Sequence, residues 1–186
     1  MSASVRYLVL APLLLMLMAC AYEQQYVRHA QIQSRARYVA VLPMVNLSSY
    51  PHAGRIVSDI LATELYAQST FQLMEESAVI NQIRGNALDL DDVLDKMVVM
   101  DAANDLGVDT VIYGSVSEYR YKRGLNEDPV VGVNLRMLDV KTQKILWAGS
   151  KSRTGGCFWF CEDSLNRLAQ QVCHELVATM LADESR

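Results

Sequence analysis

The chain has 186 residues, with 17 Lys and Arg against 21 Asp and Glu, for a net charge of −4. That length suits one domain with a real hydrophobic core. The surplus of acid argues against nucleic acid, whose binding rests on Lys and Arg facing phosphate, and is compatible with a cationic partner.

The N-terminus opens with Arg6, an apolar run from Tyr7 to Met18, and Ala19-Cys20. This is the layout of an export signal. The run falls short of the roughly 20 residues that span a bilayer as a helix, so it is expected to be removed. Leu17-Met18-Ala19-Cys20 resembles a bacterial lipobox, in which the cysteine is acylated and becomes the first residue; this predicts a palmitate-bearing lipoprotein with its anchor on Cys20. One acyl chain holds a membrane only marginally, so stable anchoring needs more than one. Ala21 in place of Asp points, for lipoproteins of this type, to the outer membrane and a periplasmic domain. Removing residues 1–19 takes Arg6 away and leaves 16 basic against 21 acidic residues.

Residues 20–36 are polar without a clean period and are predicted to be the acylated cysteine and a tether. Residues 37–182 form the domain and 183–186 a tail. "YVAVLPM" (38–44) is a β-branched run that reads as a strand, and a turn-rich stretch follows. Over 53–68, Val57, Ile60, Leu61 and Leu65 recur at helical spacing. "FQLME" (71–75) reads as a strand, 76–83 as a short helix and 93–106 as a helix. Asp91 and Asp92 lie near that helix's start, and Gly107 is placed to cap its end. A third strand covers 109–122. In the fourth, Val131, Val133, Leu135 and Met137 face one way, and Gly132, Asn134 and Arg136 the other. A fifth strand covers 145–154. A final helix from Asp163 or Ser164 carries Leu165, Leu168, Val172, Leu176 and Met180 as one stripe. The order β-α-β-α-α-β-β-β-α predicts an α/β sandwich: a mixed sheet of about five strands with helices packed on it.

Catalytic constellations are not legible. His29, His52 and His174 belong to no motif, and there is neither a nucleophile elbow nor a glycine-rich phosphate loop. His174 reads as an exposed helical histidine. The stretch "DLDDVLDK" with Asp101, Asp105 and Asp109 lacks the spacing of a calcium loop; it reads as a solvated helix face, or as an acidic surface that attracts cations. No enzyme, metal site or cofactor is predicted. Cys157 and Cys161 flank Phe158, Trp159 and Phe160. A disulfide across the run is expected in an oxidising compartment, with free thiols or a metal site as alternatives. Cys173 reads as a small buried hydrophobe.

The segment 114–155 resembles the PelC family, outer-membrane lipoproteins of Pel exopolysaccharide export. The carrying residues are the cluster Glu118 to Leu125, Asp128-Pro129 before Val131-Gly132-Val133, the pair L-D-V and I-L-W-A-G, and Arg153-Thr154-Gly155. "VAVLPMVNLSSYPHAGRIVSDILATEL" is similar at the looser level of a superfamily that includes CsgG, the lipoprotein activators of penicillin-binding proteins and the amino-terminal domain of TolB. The resemblance implies a homo-oligomeric ring, a dodecamer in the family, on the periplasmic face of the outer membrane beside a β-barrel exporter. It implies an acidic funnel for a cationic polysaccharide destined for the biofilm matrix. Candidate lumen acids are Asp89, Asp91, Asp92, Asp95 and Glu127. The family carries a lipid-facing tryptophan after the strand ending in arginine and glycine, which places Phe158, Trp159 and Phe160 against the bilayer; a core-capping Trp159 is the alternative. Here Gly-Cys-Phe is inserted before that tryptophan and Phe-Cys after it. The alternative function is a lipoprotein regulator of a cell-envelope enzyme.

Overall fold

The structure, a computed structural model, describes residues 23–27, 32, 36–85, 94–122, 128–155 and 164–182. The elements in chain order are β1 (Glu23–Val27), β2 (Tyr38–Val41), β3 (Val45–Asn46), α1 (Ala53–Gln68), β4 (Gln72–Leu73), α2 (Glu76–Gly85), α3 (Lys96–Leu106), β5 (Thr110–Tyr121), β6 (Pro129–Asp139), β7 (Lys144–Thr154) and α4 (Leu165–Leu181). They build the mixed sheet and flanking helices that the sequence predicts.

The sheet has seven strands in the order β1-β7-β6-β5-β2-β4, with β3 also on β5. β2 and β3 lie end to end along β5, both parallel to it. Pro43 separates them, since a residue without an N–H ends a ladder: the strand expected over 38–44 stops at Val41, and β3 is a further short strand in the stretch read as turn. β5, β6, β7 and β1 form an antiparallel meander. Three of these strands have 11 or 12 residues.

Helices cover both faces. α1 and α4 pack on each other and on one face, where Val57, Leu61 and Leu65 of α1 meet Leu168, Val172 and Leu176 of α4 over Val131, Val133, Leu135 and Met137 of β6. The predicted α4 stripe is buried throughout. α2 and α3 cover the other face through Val79, Ile83, Val99 and Ala103, against Val111, Tyr113 and Leu138. Thr110 to Val116 are therefore buried without interruption, and alternation begins only at exposed Ser117. α1 approaches the chain at the β2–β3 junction nearly backbone to backbone: a Cβ on Gly54 would lie 2.1 Å from the Met44 carbonyl oxygen. The buried Ser58 hydroxyl accepts from Met44 N at 2.9 Å and donates to Gly54 O at 2.9 Å. Gly107 caps α3 in the left-handed region, φ 64°, as expected of a residue without a Cβ.

Two readings are corrected. The tether expected over 20–36 contains β1, which pairs with β7 from Glu23↔Lys151 to Val27↔Trp147; Ile32 and Ala36 are buried as well. β1 is an edge strand held by main-chain bonds, which need no side-chain period, so it left no pattern to read. The helix expected from residue 93 begins at Lys96, with Asp95 as its N-cap.

Candidate functional site

Register places one row of residues straight across the sheet. Asn46 pairs with Val116, Val116 with Val133, Val133 with Lys151, and Lys151 with Glu23. Everything beyond that row belongs to one end of the molecule. It holds the start of β1, the β3–α1 loop, the last turns of β5, the first residues of β6 and the last of β7. A bulge between Val116 and Glu118 opens it. Two residues, Ala21 and Tyr22, separate Cys20 from Glu23, and two, Gly156 and Cys157, separate Gly155 from Phe158. The chain thus leaves this same end toward Cys20 and toward the aromatic run.

The described part of this end is tied together by short bonds. Gly155 N donates to Pro129 O at 2.8 Å and Lys122 N to Asp128 O at 2.7 Å. Lys122 Nζ donates to Thr154 Oγ1 at 3.2 Å. Arg120 pairs with Glu118 at 3.0 Å, and Glu118 also accepts from Ser152 Oγ. Tyr119 lies buried with its hydroxyl on Asn166 Oδ1 at 2.5 Å. The Tyr50 ring covers it, centroids 5.0 Å apart at 57°. Burial, with Tyr50 and Tyr121 alongside, pushes the Tyr119 phenol up to about 12. Tyr50, Tyr121 and Leu47 stay exposed at this end.

A second polar cluster ties α1 to α4. Glu64 is only 6% exposed. Its carboxylate meets His174 Nδ1 at 2.9 Å and accepts from Gln68 Nε2 at 2.9 Å and Gln170 Nε2 at 3.3 Å. Burial opposes its ionisation, but the bonds from His174, Gln170 and Gln68 together outweigh that and hold its carboxyl below the usual range. Glu175 receives Lys151 at 2.6 Å and Arg153 at 3.0 Å. Glu64, Gln170, His174 and Glu175 line a cleft of about 280 Å³. The His174 ring is largely exposed, as the sequence implies; its buried carboxylate partner is 110 residues away in the chain and was not legible. The pair joins α1 to α4 as a clamp between helices.

A third group sits across the sheet edge. Asp59, Tyr66, Leu73, Glu75 and Glu76 line a groove of about 330 Å³. A hydrogen bond with Asp59, then burial and the Asp59 charge, push the Glu76 carboxyl up to about 7.

The expected lumen acids divide. Asp95 is exposed, but its carboxylate accepts from Met97 N at 2.7 Å as the α3 cap. Asp89, Asp91 and Asp92 in the α2–α3 connection, and Glu127 in the β5–β6 connection, lie outside the described residues, as do Cys20, Cys157, Phe158, Trp159, Phe160 and Cys161. Asp101 and Asp105 of α3 are exposed as well. Cys173 is buried, as expected, and burial pushes its thiol up to about 12. Among the described residues no group of three or more His, Cys, Asp or Glu side chains is arranged to hold a metal, and no helix is long and apolar enough to cross a membrane.

A family model of GNA1162-like lipoproteins matches residues 26–180. The chain belongs to the GNA1162-like lipoprotein family. This GNA1162-like protein shares its fold with the PelC dodecamer of Paraburkholderia phytofirmans at 24% identity and a TM-score of 0.63, over 86% of this chain and 98% of that one. It is similar to lipoprotein GNA1162 of Neisseria meningitidis at 21% identity and a TM-score of 0.58, over 78% of this chain and 96% of that one. The LpoB C-terminal domain of Salmonella enterica follows at 16% identity and a TM-score of 0.50, over 65% of this chain and 84% of that one. No curated protein matches the sequence. The family description is that of a lipoprotein and names no enzymatic activity.

Proposed function

We propose that this GNA1162-like protein is an outer-membrane lipoprotein, acylated on Cys20 and facing the periplasm, that assembles into a ring and guides a cationic exopolysaccharide toward a β-barrel exporter. The observation that carries the reading is the row across the sheet, which sends the chain toward Cys20 and toward Phe158, Trp159 and Phe160 from one end. Lipid and aromatic rings then meet the bilayer together. Trp suits that boundary, with its ring half dry and its N–H wet, and a Cys157–Cys161 disulfide stiffens the loop. The ring is supported by the likeness to a PelC dodecamer across nearly the whole of that chain.

Guidance is electrostatic in this reading. No bond is made or broken. Asp89, Asp91, Asp92, Asp95 and Glu127, with Asp101 and Asp105 of α3, are the acids whose summed field gathers positive charge. The rival, a regulator that reaches across the periplasm to a cell-envelope enzyme, needs a long tether. β1 leaves only Ala21 and Tyr22 between Cys20 and the sheet, about 10 Å when extended.

Mass measurement of the acylated protein in mild detergent tests the assembly: a large closed oligomer is expected, and a monomer overturns the ring. Capture of a cationic polysaccharide should weaken as salt rises, because exposed charges are screened over about 10 Å at 0.1 M. Capture indifferent to salt refutes electrostatic guidance.

A further inference from the structure

Resting on the reading that Cys20 anchors the protein, we infer that the β3–α1 loop is a second bilayer contact, in which Leu47 and Tyr50, with Tyr121 beside them, enter the headgroup zone of an anionic leaflet.

The loop satisfies part of its own backbone. Asn46 Nδ2 donates to Tyr50 O at 2.8 Å. Ser48 N and Oγ both donate to Asn46 Oδ1, at 3.1 and 2.7 Å, and Tyr50 N donates to Ser48 Oγ at 3.2 Å. Leu47 N donates to Val116 O at 2.9 Å. The N–H groups of residues 47, 48 and 50 therefore have partners inside the protein. These three donors can leave water without the penalty of bare N–H groups.

The same bonds hold apolar side chains outward. Leu47 is 59% exposed, Tyr50 41% and Tyr121 43%. Tyr50 cannot fold inward, because Tyr119 already fills the space beneath its ring. One aliphatic chain and two tyrosines make an amphipathic set, and tyrosine favours a membrane boundary. Arg120 and Lys122 flank Tyr121 and are exposed. Arg120 is already paired with Glu118, so Lys122, whose Nζ rests on the neutral Thr154 hydroxyl, is the charge offered to lipid phosphates. Leu47 and Tyr50 lie beyond the same row of the sheet as the exit toward Cys20. A bilayer held by that anchor is thus the surface within reach.

The test uses the full acylated chain in vesicles of phosphatidylethanolamine and phosphatidylglycerol carrying brominated lipid. In a Trp159→Phe background, Tyr50→Trp adds a reporter in the loop and Met97→Trp adds one on exposed α3; buried Trp147 contributes the same signal to both. Circular dichroism checks each fold. Emission from position 50 should be quenched by the brominated lipid and shift to shorter wavelength, while position 97 should stay unquenched. A residue-50 reporter open to acrylamide overturns the inference. So does one shielded from acrylamide yet untouched by the lipid, which assigns the loop to a contact between subunits. The parent chain, with Trp159 in place, separates the two readings: quenching of Trp159 without position 50 removes only this second contact, whereas silence at both positions removes membrane docking by this end.

Discussion

Gly149 offers a quantitative probe of how β7 carries the docking end. It is buried in mid-strand, and a Cβ there would lie 2.4 Å from Trp147 Cζ2, 2.5 Å from Cη2 and 3.1 Å from Leu176 Cδ2. Trp147 is fully buried and cannot swing away. Overpacking of this kind costs about 1–3 kcal/mol, and relief of strand glycine's entropy penalty returns roughly 0.5–1 kcal/mol. Gly149→Ala should therefore destabilise the domain by about 1–2 kcal/mol, a Tm loss of roughly 2–8 °C at this size. The reason is specific to the two outer atoms of the indole, which a phenyl ring lacks. In a Trp147→Phe background the same alanine should cost almost nothing, giving a coupling of about 1–2 kcal/mol in a double-mutant cycle. Urea unfolding followed by far-ultraviolet circular dichroism reads all four proteins without relying on tryptophan emission. Costs that add to within about 0.5 kcal/mol would refute the argument.

Four further outcomes are expected. Glu76 titrates near 7 in the fold against 4.5 unfolded; its raised value means a contribution fully present below 4.5 and lost as pH rises through 7. Thermal melts from pH 4.5 to 8 should therefore decline more steeply for the parent than for Glu76→Gln, and parallel curves would count against a shared proton with Asp59. Glu64 has the opposite sign: its lowered value contributes above 4.5 and fades as pH falls through the folded value. Glu64→Gln should flatten the acid limb of stability, and His174→Ala should weaken the α1–α4 clamp by about 1–3 kcal/mol, since it strips a partner from a buried carboxylate. Trp159→Ala should leave the Tm within about 1 °C while lowering vesicle docking of the unacylated Cys20→Ser chain by about 2–3 kcal/mol, the worth of half-burying an indole. A melt shifted as far as that of Trp147→Ala, about 3–5 kcal/mol, would instead place Trp159 in the core.

Much of the architecture was legible because its elements bury one face each. The stripe Leu165, Leu168, Val172, Leu176 and Met180 and the alternation Val131, Val133, Leu135 and Met137 meet each other in one core. Gly107 announced the α3 stop through its conformational freedom. What stayed hidden were arrangements without periodicity. β1 is held by main-chain pairing, Glu64 and His174 are far apart in sequence, and the Asn46, Ser48 and Tyr50 network lies in a stretch that reads only as turn formers. Asp95 shows the limit of reading charge alone: a carboxylate counted toward an acidic surface is engaged at a helix terminus. The end of the sheet proposed to dock emerged only once the register of strands distant in sequence was in hand.

The pairing of β1 with β7 has a consequence for assembly. In the proposed arrangement, with Cys20 acylated, a leash of two residues would keep each copy within about 10 Å of the leaflet and restrict how far it can roll or invert. Neighbours then meet already upright, on a plane instead of in a volume. Local concentration would rise as it does for tethered modules, which favours closure of the proposed ring.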